Sequence, residues 1–549
     1  MLSAITKSRV LPPIYILALY LASLVVTACQ PTHLSADLTA TPYLPTDTPI
    51  KTLPQVDTNL LDVTPTTELF HPTPTSVTSP VIPSPPPPSQ TPVSPDHLVY
   101  YAQSGDTIST VARRFDVEVE DISSPHPLPE AGFLTPGLML RLPIQSTNPE
   151  ADWVELTSSH LVPDSEVVYS PSAVDFNLTA YLNRAGGHLS THKEYLRSTG
   201  WTSAAGIIER VANENSINPR LLLSILEYEA SCVSDDLDEA IDSDYLVGMR
   251  DFRRKGLYLQ LSWVASQLSA GYYGWRTGSL IEFQSPDGII MRPAPDSNAG
   301  SVALQYYIAQ SMAAKGMNDQ DWFSAVNPES GLPALHQSMF GDSWERAQQV
   351  EPLFPEGLMQ PDLALPFEPG RLWSYTSGPH TVWESEGAQA ALDFAPAAAI
   401  SGCFESEAWV IAMADGPVVR SEFGMVVQDL SEADRQQSDG NEQTGWAMLY
   451  LHIEPKDRVP AGTYLHAGDR IGHPSCEGGR ANGTHVHIAR KYNGEWVAAG
   501  GPLPFQLSGW IAHSGPKPYE GTLTKDEKTV VAHPYGSFET HILIPEDAP

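Results

Sequence analysis

Positive charge is what this 549-residue chain has least of: 31 Lys and Arg stand against 65 Asp and Glu, a formal net charge of −34. That shortage excludes nucleic acid as the main partner, because phosphate binding needs a basic face. It equally excludes charge-driven adsorption to an anionic membrane surface. Cysteine is scarce as well. Four are too few for a disulfide scaffold, and they lack zinc-finger spacing. Charged residues make up only 17%, while 41% are hydrophobic and 9% aromatic, so the chain is not a disordered polymer. At roughly 150 residues per domain, this length implies three or four domains. Proline is the one excess: 50 residues, roughly a third of them between Pro31 and Pro95.

Lys7 and Arg9 precede an apolar run from Ile14 to Val26, which ends in Val26-Thr27-Ala28-Cys29. A charged start, about a dozen apolar residues and small residues before a break read as an export signal, too short for a comfortable membrane span. A cysteine directly after small residues resembles the bacterial lipobox. The resemblance implies a signal peptide over 1–29 and lipidation of Cys29, which would anchor an exported protein at the outer face of the cytoplasmic membrane. The plainer alternatives are an uncleaved anchor or an ordinary signal. Residues 30–96, rich in Pro, Thr and Ser, then read as an extended spacer that cannot bury enough surface to order itself.

Residues 97–145 read as a compact βααβ unit. His97–Tyr101 is strand-like, Gly105-Asp106-Thr107 is a turn that caps a helix, and Ile108, Val111, Ala112 and Phe115 follow at helical spacing. Pro136-Gly137 turns into a last strand ending at Pro143. "YYAQSGDTISTVARRF…PGLMLRLP" resembles a LysM module, which implies binding of N-acetylglucosamine-containing glycan. Ser123-Ser124-Pro125-His126-Pro127 departs from the family's middle.

Residues 171–355 carry helical periodicity. Asn218-Pro219 is a cap and first-turn pair, and Leu222, Ile225, Leu226 and Glu229 share one helical face. A carboxylate on an apolar stripe is paired, marginal, or functional. "INPRLLLSILEYEAS" resembles the first helix of lysozyme-like lytic transglycosylases, whose catalytic glutamate would correspond to Glu229. Asn298-Ala299-Gly300 looks like a later motif of that family, though Ala230 and Ser297 depart from it. The expected region is all-α, a degenerate glycan-holding domain. Trp263, Tyr272, Tyr273 and Trp275 are core or groove aromatics at this level.

From Pro366 the texture changes to short β runs between Gly and Pro turns, an antiparallel all-β pattern assigned to 366–515, with 516–549 as a C-terminal extension. His380 follows Gly378-Pro379 in an expected loop, Asp393 sits in a strand-like Ala391–Phe394, and His452 closes a strand. His485 and His487 alternate, so both imidazoles share one sheet face. Zn²⁺ takes His nitrogens and Asp oxygens, and catalytic sites keep three protein ligands and one open position. "GPH…ALDFAP…GDRIGHPSCEGGRANGTHVHIA" resembles the M23 zinc metallopeptidases of the lysostaphin/β-lytic type. The resemblance implies zinc ligation by His380, Asp393 and His487, with His452 and His485 as the catalytic histidines. The His-to-Asp interval suits the β-lytic branch. Cys403 and Cys476 flank this site and are expected to pair, two buried thiols being the alternative. His466, His473 and His513 are expected in turns or on the surface, Cys232 buried, and the acidic Asp429–Glu442 loop a solvated hairpin tip.

The expected function is therefore that of a multidomain lipoprotein of the cell envelope, partnered by peptidoglycan and the membrane, that hydrolyses peptide cross-links with zinc. Two alternatives stand beside it. One is a non-catalytic wall-binding protein or amidase activator; the other is a glycan-cleaving transglycosylase using Glu229.

Overall fold

The computed structural model describes residues 97–144, 153–158, 160–398, 401–430 and 438–546. The signal segment, Cys29 and the spacer over 30–96 lie outside the described residues. Among the described residues, no helix is long and apolar enough to cross a membrane.

In the first module, strands His97–Tyr101 and Met139–Pro143 pair antiparallel around the helix Ile108–Phe115. Thr107 caps that helix by accepting the Thr110 backbone N–H at 3.1 Å. The expected second helix is only a 3-10 turn, Val119–Asp121. A serine pair and two prolines follow it directly, and they oppose helical continuation. Asp106 is buried, accepting hydrogen bonds from the Tyr100 hydroxyl at 2.6 Å and from Arg114 at 2.8 Å. Its role here is to hold the module together.

The middle region is mixed α/β rather than all-α. Helices Ala204–Asn215, Pro219–Ala230, Leu257–Thr277 and Ala299–Lys315 form its core, joined by a hairpin of Lys193–Leu196 with Gly200–Ser203 and a small three-stranded sheet. Helical periodicity dominates the sequence here, and strands this short leave too few alternating positions to register. Asn218 caps its helix as expected, with Pro219 in the first turn. Trp263, Tyr272, Tyr273 and Trp275 are all buried.

The C-terminal region is built on a nine-stranded antiparallel sheet. In chain order its strands are β1 (Leu372–His380), β2 (Ala391–Pro396), β3 (Gly416–Glu422), β4 (Met425–Asp429), β5 (Trp446–Leu451), β6 (Tyr464–Leu465), β7 (Val486–Tyr492), β8 (Glu495–Trp496) and β9 (His541–Leu543). Their order across the sheet is β6-β3-β4-β5-β7-β2-β1-β9, with β8 against β7. The segment over 516–549 is thus not an appendage. It supplies β9 at the sheet edge and two strands, Gly521–Lys525 and Lys528–Val531, of a four-stranded sheet begun before residue 515.

Strand alternation divides the large sheet between two cores. Leu392, Phe394, Val426, Met448, Tyr450, Val486 and Ile488 pack on one face, within the β region's own core. Ala391, Met425, Val427, Leu449, Leu451 and Ala489 point the other way, into a core shared with the helices. The joint is also polar. Arg276, buried on its helix, bonds Asp164 at 2.9 Å, Glu495 at 2.9 Å and the Ser104 carbonyl, and so ties three parts of the chain to one guanidinium.

Glu351 lies near this joint and accepts the Ser165 N–H at 2.8 Å. Burial, with Asp164 close by, pushes its carboxyl up to about 7. Between the ordinary carboxylate value and about 7 the folded state holds the extra proton, so this contribution to stability is complete at low pH and declines as pH rises through that window. Glu351→Gln, which keeps the acceptor, is expected to raise the melting temperature relative to wild type at pH 8 but not at pH 4. Calorimetry at the two pH values checks this.

Two smaller expectations change. Glu442 is buried and accepts from Arg420 and Lys491, each at 2.8 Å, so the acidic segment is anchored at that end, while residues 431–437 between its ends lie outside the described residues. At its other end Asp429 accepts the Gly440 N–H at 2.8 Å. His473 is buried, bonded to the Ala408 carbonyl at 2.8 Å and packed on Trp409, whereas His466 and His513 are exposed.

Candidate metal centre

Register brings the site together. Asp393 on β2 and His487 on β7 are direct cross-strand partners, and Leu451, the residue before His452, is paired with His487 on the other side. His380 ends β1 opposite Ala391, so it belongs to a strand rather than to the expected loop. Alternation places Asp393 and His487 on the face turned toward the helices, in step with Ala391 and Ala489.

Three donor atoms converge there. His380 Nε2 lies 3.2 Å from His487 Nδ1 and 3.4 Å from Asp393 Oδ1, and His487 Nδ1 lies 3.1 Å from that same oxygen. Tetrahedral zinc with bonds of about 2.0–2.1 Å needs ligand atoms about 3.3 Å apart. Asp393 Oδ1 is buried with no well-formed hydrogen bond among the described residues, which is costly unless a cation satisfies it. The His380 Nδ1–H is donated to the Gly378 carbonyl at 2.8 Å, so its Nε2 lone pair faces the cluster. Nε2 of His487 is the loose end, buried with no partner among the described residues. The residues fit a zinc ion: two imidazoles and one carboxylate, all buried.

The electrostatics agree with a cation-binding set. Burial pushes the Asp393 carboxyl up, but the facing His380 and His485 imidazoles more than offset it and hold it well below the carboxylate range. Burial pushes His487 down; at His380 the neighbouring Asp393 outweighs burial and pushes the imidazole up.

His452 and His485 stand beside this set with ring centroids 4.4 Å apart. Each donates Nδ1–H to a backbone carbonyl, His452 to Glu477 at 2.9 Å and His485 to Gly483 at 2.7 Å. Nε2 of each is then left with its lone pair, and that of His485 is 3.7 Å from Asp393 Oδ1. His452 adopts φ 66°, a backbone conformation unusual for a histidine. Burial beside the other imidazoles pushes it down to about 3, so it is neutral at physiological pH. Cys403 and Cys476 are joined in a disulfide, while Cys232 is a buried free thiol.

Sequence reasoning missed Tyr519. Its ring stacks on His380 with centroids 4.5 Å apart, and its backbone exchanges hydrogen bonds with Gly378 and Pro379. Gly378 permits that approach, since a Cβ there would lie 2.5 Å from the Glu520 carbonyl carbon. Glu229 is not gathered into the site. Lys315 holds both its oxygens at 2.7 Å and Ser311 bonds one at 3.2 Å, so it takes the paired alternative for a carboxylate on an apolar stripe.

Residues 160–353 match the family described as LasA, N-terminal domain, in the region where a lysozyme-like domain was expected. With its antiparallel sheet and its His380, Asp393 and His487 donor set, the chain is similar to the protease and metallopeptidases that follow. The particular likeness is to protease LasA of Pseudomonas aeruginosa, 26% identical over 348 residues that cover 62% of this chain and 75% of the relative. Among solved structures, the M23 metalloprotease pseudoalterin from the deep sea is 22% identical, covering 32% of this chain and 96% of that one with a TM-score of 0.27. The catalytic domain of the antimicrobial peptidase lysostaphin from Staphylococcus simulans is 20% identical over 23% of this chain and 87% of that one, with a TM-score of 0.17.

Proposed function

We propose that this protein is an exported, wall-directed endopeptidase that hydrolyses peptide bonds in the stem or cross-bridge of peptidoglycan. His380, Asp393 and His487 hold the zinc, and His452 and His485 handle the proton. In this reading the module over 97–145 takes up wall glycan, and lipid on Cys29 tethers the chain to the membrane. The observation that carries the reading is the convergence of three buried donor atoms, 3.1–3.4 Å apart, with His485 Nε2 3.7 Å from one of them and the His452 ring 4.4 Å from that of His485.

When bound, zinc supplies Lewis acidity toward a carbonyl and lowers the pKa of a water. The chain's own residues do the rest. Carbonyl hydrogen bonds on Nδ1 of His452 and His485 keep each Nε2 able to accept a proton and return it to the leaving amine. Tyr519, packed on His380, keeps that ring turned toward Asp393. Zinc loss without Tyr519 would be a positioning effect.

The test is the purified protein on isolated sacculi, with and without a chelator, followed by mass spectrometry of the released fragments. New free amines that vanish in chelator and persist in Glu229→Gln are expected. Anhydro-sugar ends that survive chelation and vanish in Glu229→Gln would replace this reading with glycan cleavage. The contacts of Glu229 speak against that outcome, because Lys315 occupies both of its carboxyl oxygens at 2.7 Å and Ser311 a further site on one of them.

A further inference from the structure

The metal donors and the proton-handling pair are held by different parts of the fold. His380, Asp393 and His487 stand on β1, β2 and β7, within or at the end of regular sheet. His452 and His485 lie just outside the ends of their strands, where ladder hydrogen bonds no longer hold the backbone. Something else must place them.

A single three-residue segment makes those contacts. The Ser475 N–H donates to the His452 carbonyl at 2.7 Å, and the Ser475 hydroxyl donates to it again at 3.0 Å. The Ser475 carbonyl accepts the His485 backbone N–H at 3.3 Å. Two residues on, the Glu477 carbonyl accepts His452 Nδ1–H. Between Ser475 and Glu477 stands Cys476, joined to Cys403. The partner end closes on the same histidines. Thr484, the residue before His485, donates its N–H to the Gly402 carbonyl at 3.0 Å; its hydroxyl accepts the Phe404 N–H at 2.8 Å and donates to the Phe404 carbonyl at 2.7 Å.

We infer that the Cys403–Cys476 disulfide, with the Ser475–Glu477 segment and Thr484, is the positioning element of the acid–base histidine pair and is dispensable for zinc binding. The inference rests on the roles proposed above for His452 and His485. The segment is seated closely as well as tethered: a Cβ on Gly424 would lie 2.5 Å from the Glu477 carbonyl carbon, and one on Gly478 2.3 Å from the Phe423 carbonyl oxygen. Both glycines have positive φ, so the turn that receives the segment and the segment itself depend on glycine. Cutting the tether frees Cys476 between two contact points but touches none of the three donor residues. A displacement on the order of 1 Å at a proton-transfer group is enough to cost about 100-fold in rate.

The experiment uses the full chain and three forms: wild type, Cys403→Ser with Cys476→Ser, and Thr484→Val, a near-isosteric change that keeps the disulfide. Reducing agents are avoided because thiols compete for zinc. Each form is titrated with zinc alone, assayed on a soluble cross-linked muropeptide, and labelled with ¹⁵N-histidine to read the His452 tautomer. The double variant is expected to bind zinc within about twofold of wild type and to lose about 10–100-fold in kcat with KM little changed, its His452 Nδ1–H signal broadened or lost. Thr484→Val is expected to lose several-fold in kcat in the same pattern, and it decides the question if the double variant does not fold. Zinc affinity that falls together with activity, or a kcat that does not move, overturns the inference. If wild type itself shows no chelator-sensitive cleavage, the functional reading fails, while the His452 signal still decides whether the tether positions that ring.

Discussion

Substituting alanine for His487 is expected to remove both stoichiometric zinc and all chelator-sensitive peptide release, the largest effect of any single change in this chain. His487 is the residue on which the site's register turns, paired with Asp393 on one side and with Leu451, next to His452, on the other. Its Nδ1 completes a triangle whose other corners, His380 Nε2 and Asp393 Oδ1, are themselves 3.4 Å apart. Two donors cannot replace three in a tetrahedral site that must also keep an open position. The loss in zinc affinity should therefore exceed the roughly 10–100-fold that follows removal of an outer hydrogen-bond partner. Fold disruption is a weaker explanation, because Val486 and Ile488 still fill the opposite face. Elemental analysis, circular dichroism and fragment release on the same preparation separate the two. Zinc and release that both persist would sink the assignment of the metal centre.

The sequence exposed the parts of this site that depend on residue type and local period. His485 and His487 alternate visibly, Asp393 interrupts an apolar strand, and both cysteines of the disulfide fall between Asp393 and His485. The contacts that arise only from tertiary approach stayed hidden. Tyr519 reaches His380 because Gly378 lets a distant hairpin come close, and nothing near either residue marks that meeting. The Glu477 contact with His452 is made by a backbone carbonyl, which every residue possesses, so no side chain announces it. Glu229 lies on the apolar stripe its spacing predicts, but the lysine that pairs with it lies 86 residues along the chain, beyond the reach of any local pattern. In the middle region, strong helical periodicity hid strands of two to four residues. The boundary at 515 falls between two strands of one sheet, whose pairing is a tertiary contact that the turn over 515–520 does not announce.

His485→Gln and His452→Gln should each lower kcat by about 10²–10⁴-fold while leaving zinc content at the wild-type level. The argument begins with what these rings do not do. Neither belongs to the three-donor set, and each spends Nδ1 on a carbonyl, so removing either leaves His380, Asp393 and His487 in place. What disappears is one of two Nε2 lone pairs beside the donor set. Glutamine retains much of the volume and a hydrogen-bonding amide but takes up no proton near neutral pH, so it separates proton transfer from packing. His452 should be the more sensitive to size, being buried and held at φ 66°, and alanine there is expected to lower the melting temperature where alanine at His485 does not. Because rings 4.4 Å apart serve one proton path, the double variant should lose little more than the worse single variant rather than the product of the two. Multiplicative losses would mean that the two histidines act independently, and a loss of zinc in either single variant would move that residue into the ligand set.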